Sequence, residues 1–203
     1  MAHPKAATLE RFGPRKRDAA ATRAAILDAA KAHFARSGYD RTLLRDIATE
    51  AGADVALIQR YFGGKEALFA AALKESITTE RLAEWDRRTF AHEIASMMAG
   101  GAHQNEERTH RFQFLLRAAT SPTTAPMLNV AMRERFMGPI RDWLGGEDAP
   151  ARARLLAATF IGFLVERLIR DEPLAGRERE VFIKRATAMF EALVANPSGG
   201  EPT

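Results

Sequence analysis

The chain has 203 residues, of which 46% are hydrophobic and none is cysteine. That length admits one or two domains with a sizeable core, and the lack of cysteine excludes disulfides, thiolate catalysis and thiolate metal sites. A formal charge of +4 is unevenly placed: residues 1–65 hold 12 basic and 7 acidic side chains, and the other 138 hold 18 and 19. Such asymmetry points to an anionic partner met by one end of the molecule. No apolar run precedes Ile26, so no secretory signal is expected. The longest uncharged run, 118–132, is 15 residues and contains Pro122 and Pro126, short of the roughly 20 needed to span a bilayer. A soluble, cytoplasmic protein without membrane contact is expected.

In chain order, residues 1–17 read as a flexible basic arm punctuated by Pro4, Gly13 and Pro14 and closed by Arg15, Lys16 and Arg17. A helix begins at Asp18, a good N-cap, with Ile26, Leu27, Ala30 and Phe34 at helical spacing, and stops at Ser37-Gly38. Thr42 is a plausible cap for a short helix over 43–51, and a second short helix follows over 54–61 up to Gly63-Gly64. A long helix from Lys65, with Leu68, Phe69, Ala72, Leu73 and Ser76 on one stripe, reaches as far as Arg88. Further helices are expected at 90–99, 106–120, 125–144, 151–171 and 177–195, separated by Gly and Pro breaks. Residues 197–203 read as a disordered tail. The expectation is an all-α fold of about nine helices, divided into an N-terminal three-helix domain at 18–65 and a helical domain at 66–196.

The pair of short helices carries the functional argument. Ala48, Gly52 and Ile58 are four and ten residues apart, with Ile47 beside the first. A helix-turn-helix needs a small residue where the second helix crosses, Gly where the turn takes positive φ, and an aliphatic lock on the second helix. A plain helical corner would satisfy the same spacing, so three additions matter. Arg41, Arg45, Arg60 and Lys65 surround the unit, and such cations suit phosphate contacts. Gln59, Arg60 and Tyr61 place an amide, a guanidinium and a phenol on the second helix, where Arg suits guanine and Gln suits adenine. Gly63-Gly64-Lys65 sets backbone N–H groups at a helix start beside a lysine, which favours phosphate; Glu66 after the lysine excludes a nucleotide-binding P-loop.

The stretch Thr22-Arg23, Ile26 to Ala30, Phe34, Gly38-Tyr39, Leu44 to Ala48, Ala51-Gly52 and Tyr61 to Phe69 resembles the N-terminal domain of TetR-type (tetracycline-repressor-like) transcriptional regulators. Phe163 to Arg170 followed by Glu172-Pro173-Leu174 resembles one recurring C-terminal variant of that family. The resemblance implies a homodimer with one reading head per subunit, a double-stranded DNA operator and a small-molecule effector, acting as a repressor. It places DNA contacts on Thr42, Arg45, Asp54, Val55, Ala56, Gln59, Arg60 and Tyr61, with Lys65 on the backbone. Many members carry Ser-Lys-Gly where this chain has Asp54-Val55-Ala56, and an aromatic where it has Gln59. Asp54 would repel phosphate unless it caps the helix or accepts from a cytosine amino group.

In the C-terminal two-thirds, Leu155, Leu156, Phe160, Phe163, Leu164 and Leu168 form one apolar stripe, and Val181, Phe182, Ala188, Met189, Ala192 and Leu193 another. A four-helix bundle between two copies is expected there, centred on Leu156, Phe160, Phe163, Leu164, Phe182, Met189 and Leu193. Trp85, Phe90, Met97, Phe112, Met132 and Phe136, with Gln113 as a polar handle, are candidates for an effector cavity, although each also suits core filling. An enzyme is disfavoured: His3, His33, His92, His103 and His110 match no metal spacing, and no nucleophile elbow or dinucleotide-binding glycine pattern occurs. No cofactor is expected. The remaining alternative is a helical module that binds only protein, which leaves the N-terminal charge without a purpose.

Overall fold

The computed structural model describes residues 15–77, 85–100, 106–170 and 172–195, and within them the chain is helical with no strand. The elements are α1 (Arg15–Arg41), α2 (Leu44–Glu50), α3 (Val55–Phe62), α4 (Lys65–Ser76), α5 (Arg87–Met98), α6 (Glu106–Thr120), α7 (Ala125–Met132), a π-helical turn (Arg133–Met137), α8 (Gly138–Leu144), α9 (Ala149–Arg170) and α10 (Gly176–Val194). Because α7, the π turn and α8 are continuous, these form nine rods.

Helix α1 starts at Arg15, three residues before the expected cap, so the backbone of Arg15, Lys16 and Arg17 is helical; residues 1–14 and 197–203 lie outside the described residues. Its regular part stops at Gly38, whose φ of 74° an L side chain rarely adopts. Thr42 does not cap α2. Its hydroxyl lies 2.7 Å from the Gly38 carbonyl and 3.3 Å from that of His33, so it satisfies carbonyls left open at the end of α1.

The expected long helix from Lys65 is not formed. Helix α4 ends at Ser76, and Ile77 turns to extended backbone (φ −97°, ψ 94°). Residues 78–84 lie outside the described residues, and a new helix starts at Arg87, where the Asp86 carboxylate accepts from the Arg88 N–H at 2.9 Å. Ile77, Thr78 and Thr79, a β-branched run, and Asp86, a favoured N-cap, are the signals that mark this break. The expected 125–144 helix forms, but it widens at Arg133–Met137. Pro139 has no N–H to give, and its ring would strike the carbonyl four residues back. The wider turn absorbs the conflict, with the Gly138 N–H bonding to the Arg133 carbonyl.

Two hydrophobic cores result. The first joins Ile26, Phe34, Ile47, Ile58, Leu68, Phe69 and Leu73 of α1–α4 to Phe114 and Ala118 of α6 and Ala131 of α7. The second gathers Phe90, Ile94, Met98, Ile140, Leu144, Leu156, Ile183 and Phe190 from α5, α8, α9 and α10. Position 65, the expected domain boundary, is therefore a turn in the chain and not a gap in packing. Phe136 of the π turn packs against both cores. Two links tie α4 to its neighbours: Lys31 of α1 bridges Asp28 and Glu75 at 2.7 and 2.9 Å, and Lys74 meets Glu134 of the π turn at 2.8 Å. The Lys74 ammonium holds the Glu134 carboxyl below its ordinary range, chiefly through that hydrogen bond.

The turn between α2 and α3 depends on Gly52, whose φ is 61° and whose missing Cβ would meet nothing within 4 Å. Gly52→Ala therefore adds backbone strain without a clash and should destabilise the fold by about 1–2 kcal/mol. Urea unfolding followed by circular dichroism measures this, and an unchanged midpoint would refute it.

Candidate nucleic-acid interface

The site is built from α2, α3 and the start of α4. Ile47 (0% exposed) and Ala48 (2%) bury one face of α2, and Ile58 (0%) anchors α3 against them. Ala48 is small where the helices approach, and its carbonyl accepts from Ala53 N–H at 2.9 Å to close the turn. With Ile58 fixed inward, helical geometry turns Val55, Ala56, Gln59 and Arg60 outward, and all four are exposed. Tyr61 behaves differently, being half-buried against the first core.

Asp54 is the N-cap of α3, its carboxylate accepting from the Ala56 N–H at 2.7 Å. This answers the question raised by its charge: the carboxylate satisfies an open donor and suits the positive end of the helix. At the other end of α3, the Gln59 amide donates to the Gly63 carbonyl at a long 3.3 Å, leaving it able to exchange that bond for another. Arg45 projects from α2 with a side chain 77% exposed and only a 3.6 Å approach to Asp46. Lys65 sits with its ammonium 4.6 Å from the centre of the Tyr39 ring and donates to the Asp40 carbonyl at 3.4 Å. Burial, then the carboxylates of Glu66 and Asp40, push the Tyr39 phenol above its ordinary range.

Of the expected DNA contacts, the fold thus gathers Arg45, Asp54, Val55, Ala56, Gln59, Arg60 and Lys65 on one unit, with Tyr61 half withdrawn. Thr42 is a correction: it is 2% exposed and its hydroxyl is spent on α1. The side chains of Arg15, Lys16 and Arg17 lie outside the described residues. Leu43, 43% exposed beside the start of α2, stands on the same unit without a sequence signal that marks it.

Among the residues expected to line an effector cavity, Phe90 and Phe112 are buried, Trp85 lies 4.7 Å from Phe90 with the two rings tilted, Met97, Met132 and Phe136 are half-buried against the cores, and Gln113 faces solvent. An open cavity of about 600 Å³ between α5 and α10 and one of about 190 Å³ beside the end of α1 are lined by other residues.

Of the residues expected at a dimer face, Leu156 is a correction and the others are placed as follows. Leu156 is 3% exposed and belongs to the second core, and Phe160, Phe163, Leu164, Phe182 and Leu193 pack against that core. Phe163 meets Phe182 and Phe190 at ring distances of 5.4 and 5.9 Å. Met189 remains exposed, and it is joined by Leu155, Ile161, Ile169 and Val181.

Among the described residues no helix is long and apolar enough to cross a membrane, and no group of three His, Asp or Glu is arranged to hold a metal. Residues 26–72 match the family model for bacterial regulatory proteins of the tetR family, and residues 89–194, just over half the chain, match the tetracyclin repressor-like C-terminal domain. The HTH-type transcriptional repressor SCO4008 of Streptomyces coelicolor is 44% identical over 61 residues, 30% of this chain and 32% of that protein, so the likeness spans about a third of the relative. The HTH-type transcriptional regulator BetI of Agrobacterium fabrum is 25% identical over 163 residues, covering 75% of this chain and 79% of BetI. NalD of Pseudomonas aeruginosa, the secondary repressor of the MexAB-OprM multidrug efflux pump, shares the fold at a TM-score of 0.60 and 20% identity, over 84% of this chain and 96% of its own. The multidrug binding protein EbrR, solved with malachite green, does so at 0.62 and 19%, over 90% and 100%. With both of its regions matched, from the reading head to the last helix, the chain belongs to the TetR family of bacterial regulatory proteins.

Proposed function

We propose that this DNA-binding transcriptional regulator acts in the cytoplasm as a homodimeric repressor, bound to a palindromic operator and released by a small-molecule effector. The observation that carries the reading is the outward face of α3, where Val55, Ala56, Gln59 and Arg60 stand exposed because Ile58 is locked inside. In a major groove, Arg60 would take guanine through O6 and N7, Gln59 adenine, and Val55 and Ala56 a thymine methyl group. Arg45, Lys65 and the basic segment Arg15-Lys16-Arg17 supply phosphate contacts, whose counterion release gives most of the sequence-independent affinity. Thr42 has no part in this scheme.

Dimerisation is assigned to α9 and α10, which carry the exposed apolar side chains Leu155, Ile161 and Ile169, and Val181 and Met189, respectively. A two-fold axis through such a bundle would set the two α3 helices one turn of duplex apart, about 34–36 Å. Release requires an effector that prefers the DNA-incompetent arrangement, typically by about 1–3 kcal/mol. NalD and EbrR, which share this fold, are named for multidrug efflux and multidrug binding, and support a responsive C-terminal half.

Selection of bound duplexes from a random pool should recover a palindrome, and a pool that never enriches would overturn the function. On the recovered operator, Arg60→Ala should lose about 1–3 kcal/mol and relax preference at one position per half-site. Lys65→Ala should weaken every sequence alike and flatten the salt slope by about one; an unchanged slope removes Lys65 from the phosphate contacts. Charging both helices by Ile161→Glu with Val181→Glu should turn the dimer into a monomer in sedimentation velocity. A dimer that survives both changes places the interface elsewhere.

A further inference from the structure

Arg23 is a cation that the scheme above leaves without a task. It stands exposed in the first half of α1, and its guanidinium carbon lies 4.7 Å from the centre of the Phe62 ring. Phe62 is the last residue of α3, so a side chain of the first helix covers the C-terminal end of the helix that carries Gln59 and Arg60. Attraction to a ring face holds a guanidinium without using a hydrogen-bond acceptor, and its five N–H donors stay available. Among the described residues no carboxylate lies within 4 Å of Arg23. Arg36, Arg141 and Arg170, by contrast, each meet a carboxylate at 2.8–2.9 Å.

The place matters as much as the charge. A major groove is about 12 Å wide, so a helix seated along its middle lies only about 6 Å from a wall of phosphates. Arg60, which points outward from α3, is two residues from Phe62, and the guanidinium over Phe62 is therefore carried to the edge of whatever groove receives α3. The two ends of α3 differ in charge. Its start is occupied by the Asp54 carboxylate, and its last carbonyls carry the negative end of the helix dipole. A phosphate beside that last turn needs a cation next to it. Lys65 follows just past Phe62, but its ammonium is held by Tyr39 and Asp40 at the opposite end of α1 from Arg23, so the two cations serve different phosphates.

We propose that Arg23 is a contact to the DNA backbone, held ready by the Phe62 ring, and that it extends the duplex-binding surface from α3 and α4 onto α1. This rests on the reading of α3 as the helix that enters the groove. The competing role for the same pair is an internal lock that only orients α3. A lock acts on base reading and leaves the number of neutralised phosphates unchanged; a backbone contact does the reverse.

Binding of the full-length chain to a mixed-sequence duplex, followed between about 50 and 200 mM salt, separates the two. R23Q should bind about threefold more weakly or worse at the low end and flatten the salt slope by about one per subunit. Its thermal midpoint should stay that of the wild type, because the side chain is exposed. R23K, which keeps the charge, should keep the wild-type slope. On an operator selected from a random pool, R23Q should lose the same factor as on mixed sequence. F62L, which removes the ring and keeps the charge, should weaken both duplexes alike with the slope retained; unchanged affinity overturns the part given to Phe62. A wild type with a steep slope that R23Q leaves untouched removes Arg23 from the backbone contacts and spares the groove reading. A loss confined to the operator makes Arg23 a lock on α3 and overturns the proposal. A wild type that retards no duplex at low salt overturns the groove reading and this contact together.

Discussion

Phe34 and Phe114 pack edge-on against Phe69, at 4.8 and 5.4 Å, where α1, α4 and α6 meet, and all three rings are essentially sealed from water. Burying side chains of this size contributes roughly 1.5–3 kcal/mol each, with a further gain for well-placed ring pairs. Helices α1–α3 around Ile47 and Ile58 would bury little surface alone, and small units are hard to stabilise. The head that carries α3 therefore borrows its core from the helices behind it. That sharing seats α3 on the same packed side chains as α6 and α7.

Helix α4 lies at the centre of this dependence. It presents Leu68, Phe69, Ala72 and Leu73 to the first core, and its ends are held differently. Its start carries Lys65 over Tyr39. Its far end is tied to the π turn by the Lys74–Glu134 pair and by Arg135, which donates to the Lys74 carbonyl at 3.4 Å. Phe136 in that turn also touches the second core. Packed side chains and two polar links thus connect α5, α8, α9 and α10 to the unit that carries α3, through a helix of only 12 residues.

Much of this was legible in the amino acids, because glycine, proline and capping residues punctuate the chain where helices end. The bounds of α6 are legible as they stand, and Ala48, Gly52 and Ile58, through size and backbone freedom and with the cations around them, mark the helix-turn-helix. What failed did so for identifiable reasons. The stripe of Leu68 to Ser76 continued plausibly toward Arg88, but periodicity cannot register that Ile77 leaves helical backbone. On α9, apolar residues occupy nearly the whole circumference, so spacing could not separate Leu156 and Phe163, which face the core, from Leu155 and Ile161, which do not. Thr42 had the composition of a cap, yet the carbonyls of the preceding helix claimed its hydroxyl first. Gln113 was assigned inward among aromatic neighbours, although it stands on the solvent side of α6.

The carboxylate of Asp54, closing the first turn of α3, takes up the Ala56 N–H and offsets the positive end of that helix. An end so occupied has little left to offer an anion. In the proposed complex the grip on the duplex backbone therefore falls to cationic side chains such as Arg45 and Lys65, and α3 is left with its outward face alone.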